Sequence, residues 1–281
     1  MKRQTKSAIL KYAVGPGSGH PGFLSSSALR LMKIGLEGGL AVGYEGGASG
    51  ASCISVDFDV TRPGREEANH AGTHALLSLS ERYGVPLTWA VCGKTAEADN
   101  EAYESILKSS VRQEVAVHTY SHIYTNEVSE EVFEDDIRRC LTVLGLSSAP
   151  DTFIFPKNIE GYFGLLKRMG FRCYRGKRRV IGRPIEQNGL LNIRPVYYVD
   201  QKSLGAQSLI ERFVDVCIAK RAAFHLWTHP WSLSIGGKPD EMVKSTLEQV
   251  FAYLRDKKES GSISLTTMGR LSSYMWSGAA T

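Results

Sequence analysis

Cysteine is scarce in this sequence, and none of it lies at metal-binding or redox spacing. Cys53, Cys92, Cys140, Cys173 and Cys217 are an odd number spread along the chain, with no C-x-x-C among them. Each sits in an apolar context, which reads as a buried free thiol in a reducing compartment and not as a disulfide framework. Long hydrophobic runs are missing too. No stretch approaches the ~18 apolar residues of a membrane-spanning helix, and the basic segment MKRQTKSAILKYAVGPG is broken at Lys11 before a signal-type apolar core can form. The expectation is a cytoplasmic protein without a transmembrane segment. The excess of one charge sign is small, 34 Lys and Arg against 29 Asp and Glu. Basic clusters such as Lys177–Arg179 have no aromatic residues between them, so no nucleic-acid partner is expected. A phosphate-binding P-loop is also absent, because Gly93-Lys94-Thr95 lacks the earlier glycine of that motif.

What is present is an ordinary globular composition, 42% hydrophobic and 22% charged, in 281 residues. Residues 1–52 are rich in Gly and Ser, with a short helix expected at Ser25–Gly35, and read as an extension packed on the domain. From Cys53 the pattern becomes regular. Strands are expected at Cys53–Phe58, Pro86–Cys92, Val115–Val117, Thr152–Phe155, Phe171–Tyr174, Val196–Val199, Ala222–Thr228 and Ser262–Leu265. Helices are expected between them at Glu66–Tyr83, Glu101–Ser109, Glu130–Leu144, Gly161–Met169, Leu204–Ile218 and Asp240–Lys257, with a last one at Thr267–Tyr274. Gly84 stops the first helix and Ser129 caps the third. Strands that alternate with helices and read as continuous apolar runs belong to a parallel sheet covered on both faces. So many units, with polar residues at the strand ends, point to a barrel, and no linker or repeat divides residues 53–281.

Reactive residues gather at those strand ends. Ile54–Asp59, ISVDFD, closes on two carboxylates, and Glu114–His122, EVAVHTYSH, closes on His118 and His122. A four-residue spacing puts two imidazoles on one face if the segment turns helical. Pro156-Lys157-Asn158 and His229-Pro230-Trp231 follow two further strands. In a parallel barrel all these ends lie on one face. Two histidines and one carboxylate make a three-ligand site for a divalent ion, with a position left open for water. A second carboxylate can take the proton of that water, and a histidine opposite can protonate a leaving group, which describes metal-assisted hydrolysis of an amide or ester. His70 and His74 form a second pair at the same spacing, but inside a predicted helix and with no obvious carboxylate strand, so a solvated helix face is expected there. His225 shares a strand face with His229 and is expected to be a core or supporting histidine.

Residues 53–275 resemble the polysaccharide deacetylase family, the NodB-homology carbohydrate esterases. SVDFD is similar to that family's first motif, a base Asp followed by a metal-binding Asp. His118-Thr119-Tyr120-Ser121-His122 matches its H-[ST]-x-x-H motif, and PLTWAVCG and FHLWTHPW resemble the intervening strand and the strand that delivers the acid histidine. The resemblance implies an α/β fold, the distorted (β/α)7 barrel, and one divalent metal ion, usually zinc, on Asp59, His118 and His122. It also implies Asp57 as base and His229 as acid. The reaction implied is removal of an acetyl group from an N-acetylated or O-acetylated saccharide, or from a sugar intermediate of polysaccharide biosynthesis. Alternatives are a deformylase or other C–N hydrolase on the same fold, or a catalytically impaired pseudo-enzyme that binds saccharide. Pro156, Lys157, Asn158 and Trp231 are expected at the substrate and oxyanion. Two departures stand out: Ile154 occupies the place of the family arginine that holds the base, and no Asp-Trp motif is found in Val180–Asp200. The Pro156-Lys157-Asn158 turn is expected to take over part of the missing arginine's role. Arg175 or Arg178 reaching across is the alternative.

Overall fold

The computed structural model describes residues 44–278 apart from 178–180, 204 and 236–237. The helix expected at Ser25–Gly35 and Arg178 lie outside the described residues. The first strand, β1 (Gly50–Phe58), is buried along its whole length because it is paired on both sides. It begins three residues ahead of the expected boundary. Helix α1 (Glu66–Tyr83) follows and ends on the left-handed Gly84, then β2 (Leu87–Val91). Next comes α2 (Gly93–Ala98), a short helix the sequence did not announce, and then the expected helix before the histidine strand, α3 (Asn100–Lys108). They break at Asp99, whose side chain accepts a hydrogen bond from Ala102 N and so caps α3. Next come β3 (Glu114–Val117), α4 (Glu130–Val143) capped by Ser129, β4 (Thr152–Ile154), α5 (Phe163–Met169) and β5 (Cys173–Arg175).

Within the stretch that was hard to read in the sequence, residues 185–199 hold β6 (Ile185–Gln187), β7 (Leu190–Asn192) and β8 (Tyr197–Val199). Strands β6 and β7 make an antiparallel hairpin around Asn188-Gly189, both at positive φ. An Asn-Gly pair is the residue choice such a turn demands, so the signal was in the sequence. Helix α6 (Gln207–Ala219), β9 (Ala223–Thr228), the small hairpin β10 (Ser234–Ile235) and β11 (Lys238–Pro239), α7 (Glu241–Glu259), β12 (Ile263–Leu265) and α8 (Met268–Gly278) complete the order.

The main sheet runs β6-β7-β5-β4-β3-β2-β1-β9-β8 and is parallel except for the β6–β7 pair, with β12 parallel to the start of β1. It curls into a half-barrel with helices outside. Side-chain alternation then decides everything about the interior. Along β1, Ile54, Val56 and Phe58 face the outer helices, where they join Leu76, Trp89, Phe251 and Leu254 in the main core. The alternate residues face inward. Ala51 and Cys53, with Ala90, Ala116, Cys173 and Ala223, pack with Met268 and Leu271 of α8 into a second, small-residue cluster. The same inward rows continue upward as Ser55 and Asp57, His118, Arg175, His225 and Trp227. Apolar residues therefore plug the strand starts, and polar ones line the strand ends. Glu114 anchors the plug: its buried carboxylate accepts from Thr88 Oγ1, Thr152 Oγ1 and the backbone N–H of Gly269 at the start of α8.

Candidate metal and catalytic site

Asp57, Asp59, His122, Lys157, Asn158, His229 and Trp231 line one pocket of about 280 Å³ at the strand C-termini, together with Thr61 and Trp227. His118 lies beneath it, buried. The segment carrying the two histidines does not turn helical, so their approach comes from another geometry. Thr119 and His122 adopt positive φ of 62° and 60°, and this irregular turn brings the rings to 4.9 Å between centroids. A β-branched residue in the left-handed region is strained, so the turn must be held from outside. Asp136 does so by accepting from Tyr120 N and Ser121 N, while Thr119 O and Tyr120 O accept from Gly93 N and Lys94 N.

His118 Nδ1 lies 2.7 Å from the carbonyl oxygen of Ile154. A carbonyl only accepts, so Nδ1 carries the hydrogen and the Nε2 lone pair is presented to the site. That buried Nε2 has no hydrogen-bond partner and sits 3.6 Å from Asp59 Oδ2, with His122 Nε2 at 3.1 Å from the same oxygen. One ligand atom from each of Asp59, His118 and His122 lies within 4.8 Å of the other two. An orphaned imidazole nitrogen, a second imidazole and a carboxylate oxygen converging in this way fit a divalent ion of the zinc class. Burial disfavours the ionised Asp59, and the two histidines more than offset it, holding its pKa well below the usual carboxylate range. Trp231 Nε1 donates to Asp59 Oδ1 at 3.2 Å, so the indole orients this carboxylate.

The partner of Asp57 is Arg175 and not Lys157. Both oxygens of Asp57 receive guanidinium N–H groups of Arg175 at 2.6 Å, a bidentate pair between two side chains that are almost wholly buried. The ammonium of Lys157 instead lies over the Tyr124 ring, 4.2 Å from its centroid. The expected turn contributes differently: Asn158 Oδ1 accepts from Arg175 Nε. A four-carbon ammonium stem offers one flexible point charge, whereas the planar guanidinium matches a carboxylate edge to edge. Arg175 is one strand over from Ile154, its register partner on β4. Burial pushes the Asp57 carboxyl up, and Arg175 outweighs it, leaving the pKa below the ordinary value.

Pro156 opens the turn and is buried, with Lys157 and Asn158 at positive φ behind it. The turn's backbone bonds run from Asn158 N to Phe155 O and from Ile159 N to Pro156 O, so Lys157 N takes no part in them. His229 Nε2 stands 3.8 Å from Asp57 Oδ2 and 3.9 Å from Asp59 Oδ2. Its ring stacks on Trp231 with 4.3 Å between centroids. Burial lowers the His229 pKa, and the two aspartates only partly restore it. Its Nδ1 lies 3.1 Å from the hydroxyl of Tyr198, a residue the sequence reading did not single out. Tyr198 comes from the segment in which no Asp-Trp motif was found, and packs on Trp227 at 4.2 Å.

His225 does not reach the pocket. It lies below, with Nδ1 donating to Ile193 O and Nε2 accepting from Ser55 Oγ, which itself accepts from Arg175. His70 and His74 have no carboxylate strand beside them, but the α2–α3 junction supplies carboxylates: Asp99 Oδ1 is 2.9 Å from His70 Nδ1, and Glu101 is beside the pair.

Residues 46–157 match the family model described as polysaccharide deacetylase. Among solved structures, the chain is similar to a putative polysaccharide deacetylase from Mycobacterium smegmatis, at 16% identity and TM-score 0.68, covering 89% of this chain and 97% of that one. A probable polysaccharide deacetylase from Pseudomonas aeruginosa PAO1 is similar at 14% identity and TM-score 0.66, over 83% of this chain and 92% of that one. Puue allantoinase has the same fold at 13% identity and TM-score 0.68, over 87% and 96%. No protein of curated function matches the sequence significantly. At these identities the neighbours establish the shared half-barrel fold, and the segment that matches the polysaccharide deacetylase model runs from before β1 through both aspartates and both histidines to Lys157.

Proposed function

We propose that the chain is a metal-dependent hydrolase that removes an acetyl group from an N-acetylated or O-acetylated saccharide, or from a sugar intermediate of polysaccharide biosynthesis. The observation that carries this reading is the unpartnered, tautomer-fixed Nε2 of buried His118, facing Asp59 and His122 beside an Arg175-bound Asp57. Asp59, His118 and His122 would hold one divalent ion, with zinc the best match to a His₂-carboxylate set. When bound, such an ion polarises an acyl carbonyl and lowers the pKa of water toward ~7.

The chain's own groups do the proton work. Asp57, kept ionised by Arg175, accepts the proton of the attacking water. His229, across the pocket, gives a proton to the leaving nitrogen or oxygen, and the Tyr198 hydroxyl at Nδ1 holds its ring in place. Lys157 N, uncommitted in its own turn, is the backbone donor available to a developing oxyanion. Trp231 and Trp227 give the pocket apolar walls on which a sugar ring can rest.

The test is a panel of N- and O-acetylated saccharides assayed for acetate and formate in parallel, with metal content measured by elemental analysis. Acetate release that disappears with the loss of one metal equivalent in Asp59→Ala and His118→Ala is the expected outcome. Formate without acetate would make the chain a deformylase. Saccharide binding without release of either acid would make it a pseudo-enzyme.

A further inference from the structure

Helix α1 presents His70 and His74 one turn apart, their rings 4.6 Å between centroids. Alone, such a pair is a solvated helix face. The tertiary structure changes its meaning, because the α2–α3 junction sets two carboxylates against it. Asp99 is fixed by capping α3 and accepts from His70 Nδ1, which leaves Nε2 as the free lone pair of that ring. Glu101 completes a set in which one ligand atom each from His70, His74 and Glu101 lies within 4.8 Å of the other two. Zinc–donor bonds of ~2.1 Å require donors somewhat closer than this. His74 and Glu101 are exposed, so rotation of their side chains can close the difference.

We propose that His70, His74 and Glu101 form a second divalent-cation site, distinct from Asp59, His118 and His122. The donor set is again two imidazoles and a carboxylate, which selects an ion of the zinc class. A carboxylate behind one histidine fixes its ring as outer partners do in metal centres. Both sites border one cleft of about 880 Å³, which His70, Asp99 and His122 all line. Glu66, Glu67 and Asp99 line that cleft together with Lys94, and a bound divalent cation would offset part of their negative charge. The site is open and half-exposed, so its ion exchanges faster than one held at the buried Asp59–His118–His122 set.

Equilibrium dialysis of chelator-stripped protein against zinc or cobalt(II) alone, followed by elemental analysis, tests this without reference to turnover. The Asp59→Ala variant should still take up one equivalent, and adding His74→Ala should weaken that uptake at least ~10-fold. In the otherwise unaltered chain, His74→Ala and Glu101→Gln should each lower metal uptake by one equivalent, with an unchanged circular dichroism spectrum. The proposal is overturned if Asp59→Ala binds no metal while folded, or if His74→Ala and Glu101→Gln bind as much as the unaltered chain. Failure of the inner site would look different: Asp59→Ala would then bind as much metal as the parent.

Discussion

At the scale of single residues, the site depends on which groups are ionised and which way each ring faces. Arg175 is the clearest case. With its guanidinium on both oxygens, Asp57 stays a carboxylate to lower pH than an ordinary one. Removing Arg175 leaves burial acting alone, and burial raises a carboxyl pKa. A base works only when deprotonated, so Arg175→Met should move the acid limb of the kcat/KM profile to higher pH. An unshifted limb would show that Arg175 does not set the state of the base. Asp57→Asn should keep its metal and lose turnover. His229→Ala should likewise keep metal and lose rate by ~10²–10⁴-fold, the range of acid–base groups. Loss of metal in either variant, measured by elemental analysis, would turn that residue from proton carrier into ligand.

At the scale of elements, the turn 229–231 is placed by helix α1. Gly72 lies against Pro230, where an added Cβ would sit 1.9 Å from the Pro230 carbonyl oxygen. Helix propensity alone says that Gly→Ala in mid-helix stabilises by ~1 kcal/mol. The contact says the opposite, because backbone cannot yield as a side-chain tip can. Gly72→Ala should push the turn outward, carrying His229 and Trp231 with it. Misplacement of about 1 Å costs on the order of 10²-fold in rate. Single-turnover kinetics with a circular dichroism control decide between these effects, and an unchanged rate constant would mean the turn is positioned elsewhere. The same scale explains how the two histidines meet. The spacing of His118 and His122 was legible, but the geometry that joins them was not, because Gly93, Lys94 and Asp136 hold the segment in a strained turn that no local pattern announces.

Across the whole molecule, the inward rows form a graded interior, apolar at the strand starts and polar at the ends, with His225 at the seam. Burial brings the His225 pKa down to about 3. The unfolded chain would protonate this histidine near 6.5, and the folded one does not. Between those values the unfolded state binds more protons, so stability should fall as pH drops from about 6.5 toward 3, by at most ~1.4 kcal/mol per pH unit for one group. The depressed aspartates act in a lower window, as pH falls below ~4. Urea unfolding at a series of pH values should show this slope and a flatter one in His225→Asn, which keeps a donor and an acceptor. Equal slopes in both proteins would remove His225 as the cause. Among the described residues no helix is long and apolar enough to cross a membrane.

The sequence by itself determined the alternation of buried strands with helices, the parallel sheet, and the strand ends at which Asp57, Asp59, His118, His122 and His229 stand. Those are properties of short runs: an apolar stretch, a spacing of two or four, a capping Ser or Gly. The Asn188-Gly189 hairpin belonged to the same class and went unread. Only the tertiary structure decided what stands beside each of these groups. Ser55, Arg175 and Tyr198 come from strands far apart in sequence, and which of them meets Asp57 or His229 depends on strand order and on the parity of each register. Sheet curvature then brings inward rows together that share no local pattern. For the same reason Arg175 from β5 could supply the charge that Ile154 on β4 lacks, and Asp99 and Glu101 could meet His70 and His74. A charge is placed by the fold in space, and the chain records only its order.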